Sequence, residues 1–168
     1  AESMTVGKAA VQLGKAMGAY VIAACRREAS FEEMKALGAD ECVIDLGLLA
    51  DHHFARCPNK VLELVGPKTL CDSLLLVDRP GYVCNTGLLG NVFSLPNFDP
   101  IKFIPNRVFL TGFFSNSPTQ RQIDELFSLI VRHDVRPQYK HVFSLAQIAE
   151  AHELLEHGAG GKIILKIV

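Results

Sequence analysis

Residues 1–27 constrain this chain more than any other stretch. A small polar turn (Ser3, Thr5, Gly7) leads into a helix-forming segment that stops at Gly18-Ala19. An apolar strand follows, Tyr20 to Cys25, closed by Arg26 and Arg27. Turn, helix and strand in this order make the second half of a βαβ unit. The start of such a helix gathers free backbone N–H groups and the positive end of the helix dipole at one point, which suits a pyrophosphate. Val6, Ala10, Leu13 and Met17 recur at helical spacing and are expected on one side of that helix. A βαβ unit opens with a strand that delivers the chain to the turn, and none precedes Ser3 here. The expectation is a piece of a longer protein, its sheet left with two unpaired edges where the central strand belongs.

The rest of the chain repeats the alternation. Strands are expected at Cys42–Asp45, Lys60–Val65, Gly81–Leu88 and Arg107–Phe114, with helices at Ser30–Leu37, near Gly47–Arg56, at Pro67–Val77 and at Pro118–His133. Ser30 with Glu33 three residues on reads as a capping box, and Pro67 stands at a first helical turn, where its missing N–H costs nothing. Ile123, Leu126, Phe127, Ile130 and Val131 share one face of the 118–133 helix. Gly90–Asn106, with Pro96, Pro100 and Pro105, is an irregular excursion holding one short helical turn at Pro100–Phe103. After Pro137 the texture changes to strand Tyr139–Phe143, helix Leu145–His157 and strand Lys162–Val168, as if belonging to a different sheet. The fold class is therefore α/β, a doubly wound, Rossmann-like parallel sheet with a C-terminal strand-helix-strand appendix.

Composition removes several classes of partner. Seventeen basic residues against eighteen acidic ones leave no field for nucleic acid or an anionic membrane surface. No apolar run approaches the ~20 residues of a membrane span. The five cysteines (Cys25, Cys42, Cys57, Cys71, Cys84) include no C-x-x-C pair, which argues for reduced thiols in the cytoplasm and against a disulfide framework or a closed zinc site.

In a doubly wound sheet the ligand crevice lies at the carboxyl ends of the strands. This makes Val65-Gly66 and Thr86-Gly87 candidate cofactor contacts. The end of the second strand of a nucleotide unit selects the cofactor. An acid there accepts from a free ribose 2′-OH, whereas an arginine accommodates a 2′-phosphate. This chain has Cys25-Arg26-Arg27 and no acid, which favours NADP(H) over NAD(H).

Several segments in order resemble the medium-chain dehydrogenase/reductase superfamily, above all its zinc-independent, quinone-oxidoreductase-like branch. They are Thr5-Val6-Gly7 with Ala9-Ala10-Val11-Gln12-Leu13, Lys15-Ala16-Met17-Gly18-Ala19, Leu37-Gly38-Ala39-Asp40 before Val43-Ile44-Asp45, and Glu63-Leu64-Val65-Gly66. Thr86-Gly87, Leu110-Thr111-Gly112-Phe113 and the ending Ala151–Glu156 with Gly161–Leu165 complete the set. The resemblance implies a cofactor domain over 1–135 that lacks its first strand. It implies that 136–168 completes a catalytic domain whose main part, with the substrate groups, lies elsewhere. It implies cofactor contacts from Ser3, Thr5, Val6, Gly7, Cys25, Arg26, Arg27, Val65, Gly66, Thr86, Gly87 and Phe113, and hydride transfer from NADPH to a small-molecule quinone, enone or activated carbonyl. It implies, too, a homodimer joined through strand 107–114.

Glu2 and Met4 depart from the small residues that such a phosphate turn favours. They keep a second reading open, that of a non-catalytic relative with a Rossmann-like body that has lost its cofactor. His52-His53 with Asp51 and Cys57 fit no standard metal spacing and read as a polar surface segment. His152 reads as a packed or capping histidine beside Leu145, Ile148 and Leu155, and Ser115–Ser117 as a loop without triad logic.

Overall fold

The computed structural model describes residues 4–114, 117–159 and 161–167. Helix α1 (Met4–Ala16) precedes strand β1 (Ile22–Cys25), helix α2 (Phe31–Ala36) and strand β2 (Glu41–Ile44). Strand β3 (Lys60–Glu63), helix α3 (Pro67–Leu76), strand β4 (Gly81–Asn85), the short helix α4 (Pro100–Phe103) and strand β5 (Val108–Gly112) follow. Helix α5 (Gln120–Arg132), strand β6 (Tyr139–Ser144), helix α6 (Ile148–Glu156) and strand β7 (Lys162–Lys166) complete the described elements. Every strand pairing is parallel. The strands form three sheets, β1-β2, β3-β4-β5 and β6-β7, so among the described residues β1 and β3 each keep one edge without a strand partner.

Two cores hold the nucleotide-type part. One gathers Val11 of α1, Ala23 and Cys25 of β1, Met34 of α2 and Ala39. The other joins Leu70, Leu74 and Val77 to Val83 of β4 and Val108 of β5. Leu74 and Val83 are fully inaccessible to solvent.

Several sequence expectations need correction. The inner stripe of α1 is not Val6–Met17: Val6 is 56% and Met17 74% exposed, while Val11 and Lys8 are buried. The helix turns Lys8 inward because its ammonium reaches Glu33 of α2, and its alkyl stem is then free to cover apolar surface. The same pair takes Glu33 away from the expected capping box. Ser30 has helical dihedrals at the end of a 3-10 turn (Glu28–Ser30) and makes no side-chain cap. The weak helix at 47–56 shrinks to a 3-10 turn, Leu49–Asp51, whose first amides are held by Asp72 of α3 (2.7 and 3.0 Å). The strands at 20–25, 60–65, 81–88 and 107–114 end earlier or start later than their apolar runs, since pairing extends only over the residues in register.

No residue of α5 is buried, and Phe127 and Val131 on its apolar face are 61% and 79% exposed. That helix rests on local terms: a Thr119–Gln122 capping box and the i,i+4 pair Arg121–Glu125. His152 is exposed rather than packed; it is His157 whose ring meets a helix carbonyl, that of Glu153. Arg136, beyond α5, is tied back to α1 by the Gln12 amide, which donates to its carbonyl and accepts from its N–H (3.1 Å each).

All five cysteines are free. Burial pushes the thiols of Cys25, Cys42 and Cys71 above their ordinary pKa, whereas Cys57 lies on the surface. Because the thiolate is the nucleophile, alkylation of the native protein is expected to label Cys57 first and Cys25 last. Peptide mass spectrometry over a time course reads the order, and labelling of Cys25 ahead of Cys57 would contradict this core.

Candidate functional site

The carboxyl ends of β3 and β4 are joined backbone to backbone. The N–H groups of Thr86 and Gly87 both donate to the Glu63 carbonyl (3.0 and 3.1 Å), and Gly90 N–H donates to the Val65 carbonyl (2.9 Å). Gly66 has φ +89°, in the left-handed region that favours glycine, and forms the N-cap of α3 ahead of Pro67. A Cβ at Gly66 would overlap the Gly87 carbonyl, and one at Gly87 would overlap the backbone of Leu64. Two glycines thus let two loops approach closer than any side chain permits. This is a cradle made of main chain.

Glu63, the last residue of β3, organises it. The residue is 5% exposed, and its Oε1 accepts from Val65 N–H (2.7 Å), Gly66 N–H (3.0 Å) and the Thr69 hydroxyl (3.0 Å). Its Oε2 accepts from the buried Ser73 hydroxyl (2.5 Å). Four donors on a carboxylate at the start of α3 satisfy the desolvated charge. Sequence reasoning passed over Glu63 as part of a motif. The available signal was a lone acid inside the apolar run Val61–Val65, directly before a turn with free amides.

At the end of β4, the Asn85 side-chain Oδ1 is sealed from solvent without a hydrogen-bond partner among the described residues, while the Asn85 main-chain carbonyl accepts from Phe113 N–H (3.0 Å). An orphaned acceptor beside a main-chain cradle fits a bound group that carries amide donors.

The sequence-derived residues fall in three places. Val65, Gly66, Thr86, Gly87 and Phe113 gather around the β3–β4–β5 carboxyl ends, with the Phe113 ring 59% exposed. Thr5, Val6 and Gly7 form the first turn of α1, and a Cβ at Gly7 would lie 3.8 Å from the Leu64 side chain, so this turn borders the same loop. Ser3 lies outside the described residues. Cys25, Arg26 and Arg27 end β1. The Cys25 thiol faces the core beside Val11 and Met34, which leaves only its main chain for a ligand, while both arginines are exposed. Arg26 and Arg27, just after β1, form no ion pair among the described residues.

Among the described residues no three His, Cys, Asp or Glu side chains come together as ligands, and His52 instead stacks edge-on against Phe54.

Known proteins share this organisation. Residues 5–132 match the zinc-binding dehydrogenase family. Among curated proteins, the mitochondrial NAD(P)H oxidoreductase RTN4IP1 of Danio rerio is 27% identical over 97% of this chain and 46% of its own length. Among solved structures, AibC superposes with a TM-score of 0.80 at 28% identity, covering 98% of this chain and 47% of that one. The quinone oxidoreductase from Coxiella burnetii superposes with a TM-score of 0.71 at 25% identity, covering 99% of this chain and 51% of that one. The chain thus spans about half the length of the relatives it matches. With the family match running from the first turn of α1 to the end of α5, the chain belongs to the zinc-binding dehydrogenase family of the medium-chain dehydrogenase/reductase superfamily.

Proposed function

We propose that this chain is the cofactor-binding part of an NADPH-dependent oxidoreductase that passes hydride to a quinone, an enone or a similarly activated carbonyl. The observation that carries the proposal is the Gly66–Gly87 cradle, main chain against main chain at the carboxyl ends of adjacent parallel strands. The relatives RTN4IP1, named an NAD(P)H oxidoreductase, and the Coxiella quinone oxidoreductase support the same reading. When bound, the nicotinamide supplies the hydride. Val65, Gly66, Thr86, Gly87 and the Phe113 main chain would line its carboxamide end. Thr86 directly follows Asn85, whose Oδ1 at the end of β4 has no partner among the described residues. Thr5, Val6 and Gly7 in the first turn of α1, together with Ser3 ahead of them in the sequence, would receive the pyrophosphate. Arg26 and Arg27, beyond the Cys25 main chain, would take the 2′-phosphate.

In this reading 1–135 belongs to the dinucleotide domain, and the β6–α6–β7 unit of 136–168 joins a catalytic domain that supplies the substrate groups. The free thiols favour a reducing compartment, and we assign the cytoplasm. No helix among the described residues is long and apolar enough to cross a membrane. The test pairs two measurements. NADPH should bind the 168-residue chain, and the full-length protein should oxidise NADPH with a quinone or an enone. Absence of binding would point to the non-catalytic relative that has lost its cofactor, and binding without turnover on either acceptor would keep the cofactor and contradict the reaction.

The assembly proposed is a homodimer. β5 pairs with β4 along one edge, and its other edge has no strand partner among the described residues. Phe109 on β5 and Phe113 and Phe114 just beyond it are 52%, 59% and 88% exposed. Such an edge invites a second strand, and a two-fold axis would set it antiparallel to its own copy. Leu110→Pro removes a ladder donor and is expected to give monomers by light scattering. A dimeric mass from a folded variant would put the interface elsewhere.

A further inference from the structure

We propose that Glu63 is the positioning residue of the crevice. Its carboxylate fixes the turn that faces the nicotinamide half of the dinucleotide, so its removal should weaken that half and spare the adenosine half. The inference rests on the dinucleotide reading above, but the geometry is independent of it.

Glu63 acts on both loops at once, by two different groups. Its side chain ties down the amides of Val65 and Gly66, the Thr69 hydroxyl and the Ser73 hydroxyl, which fixes the β3–α3 turn. Its main-chain carbonyl receives the amides of Thr86 and Gly87, which fixes the loop after β4. Gly66 and Gly87 have no side chains of their own to hold these loops, and their main chains are already in contact. A shift of the Glu63 carboxylate therefore moves Gly66, and Gly66 cannot move without displacing Gly87. Glu63 touches no reacting atom in this arrangement, since its four acceptor contacts are all made to the protein and the side chain is buried. The phosphate-facing turn of α1 and the arginines after β1 lie outside this hydrogen-bond set. The two halves of the site are therefore separable.

Glu63→Gln keeps the shape and removes the charge: with the amide oxygen at the Oε1 place three bonds lose their charge-assisted part, and the NH2 at the Oε2 place can no longer accept from the Ser73 hydroxyl and can only donate to it. Three readouts on the purified protein decide the matter. Amide hydrogen exchange at Gly66 and Gly87 should accelerate by about tenfold relative to core amides such as Val83. NADPH should bind about tenfold more weakly, while adenosine 2′,5′-bisphosphate, which lacks the nicotinamide, should bind within about twofold of wild type. The emission shift of bound NADPH should also shrink, reporting a looser nicotinamide environment.

Equal weakening of both ligands would assign Glu63 a general stability role and overturn the proposal. So would unchanged exchange at Gly66 and Gly87. If wild type binds neither ligand, the cofactor reading itself fails, and exchange alone then decides whether Glu63 holds the two loops. Should Glu63→Gln not fold, Ser73→Ala strips only the Oε2 donor and is held to the same pattern.

Discussion

Gly87→Ala is expected to destabilise the protein by about 3 kcal/mol, the upper end for forcing extra atoms into a packed site. For a chain of this size that is a fall of about 6–12 °C in melting temperature. The new methyl would meet the Leu64 main chain, and backbone cannot rotate aside as a side-chain tip would. The strain should reach Gly66, whose left-handed conformation leaves it no freedom to retreat. Dinucleotide affinity should fall with it. Gly112→Ala is the control, because its Cβ would find only the Asn85 carbonyl at 3.9 Å. That variant should melt within about 2 °C of wild type. A Gly87→Ala protein as stable as the Gly112→Ala protein would show that the two loops are not packed as described.

Replacing both Arg26 and Arg27 with alanine is expected to weaken NADPH by about tenfold or more and to leave NADH within about twofold. A charge-assisted hydrogen bond to a phosphate contributes roughly 1.5–3 kcal/mol, and NADH lacks the group that receives it. Both side chains are exposed, so salt should erode the difference. The gap between NADPH and NADH in wild type is therefore expected to narrow as ionic strength rises. Titrating both cofactors into both proteins at two salt concentrations checks the direction and the cause together. Equal NADPH affinities in wild type and double variant would remove the 2′-phosphate assignment.

Local chemistry was readable where it acts alone. Pro67 marks the first turn of α3, the 100–103 turn forms behind Asp99, and Gly38 ends the second helical segment in the left-handed conformation. Parallel pairing followed from the alternation of short apolar runs with helices, a pattern set by the sheet's two faces. Features that depend on a distant partner were not readable. Lys8 is charged and looks like surface, yet it is buried because Glu33, twenty-five residues on, receives it. That same contact removed the capping box predicted from Ser30 and Glu33. The α1 stripe was misassigned by one helical position for the same reason, since periodicity finds an apolar face but not which neighbour it meets. The strand ends themselves were legible because β3, β4 and β5 are adjacent parallel strands that finish together. Glu63 was not, because a buried acid declares itself only when its four donors are in place.

In the proposed function one dinucleotide lies across the carboxyl ends of β1, β3 and β4. The most direct measurement is an NMR titration of isotope-labelled protein with NADPH, followed amide by amide. Saturable shifts are expected at Gly7, at Arg26 and Arg27, at Val65 and Gly66, and at Thr86, Gly87 and Phe113. The amides of β6, α6 and β7 should remain still. Shifts confined to the β6–α6–β7 unit or to α5, or no saturable shift at all, would contradict the account.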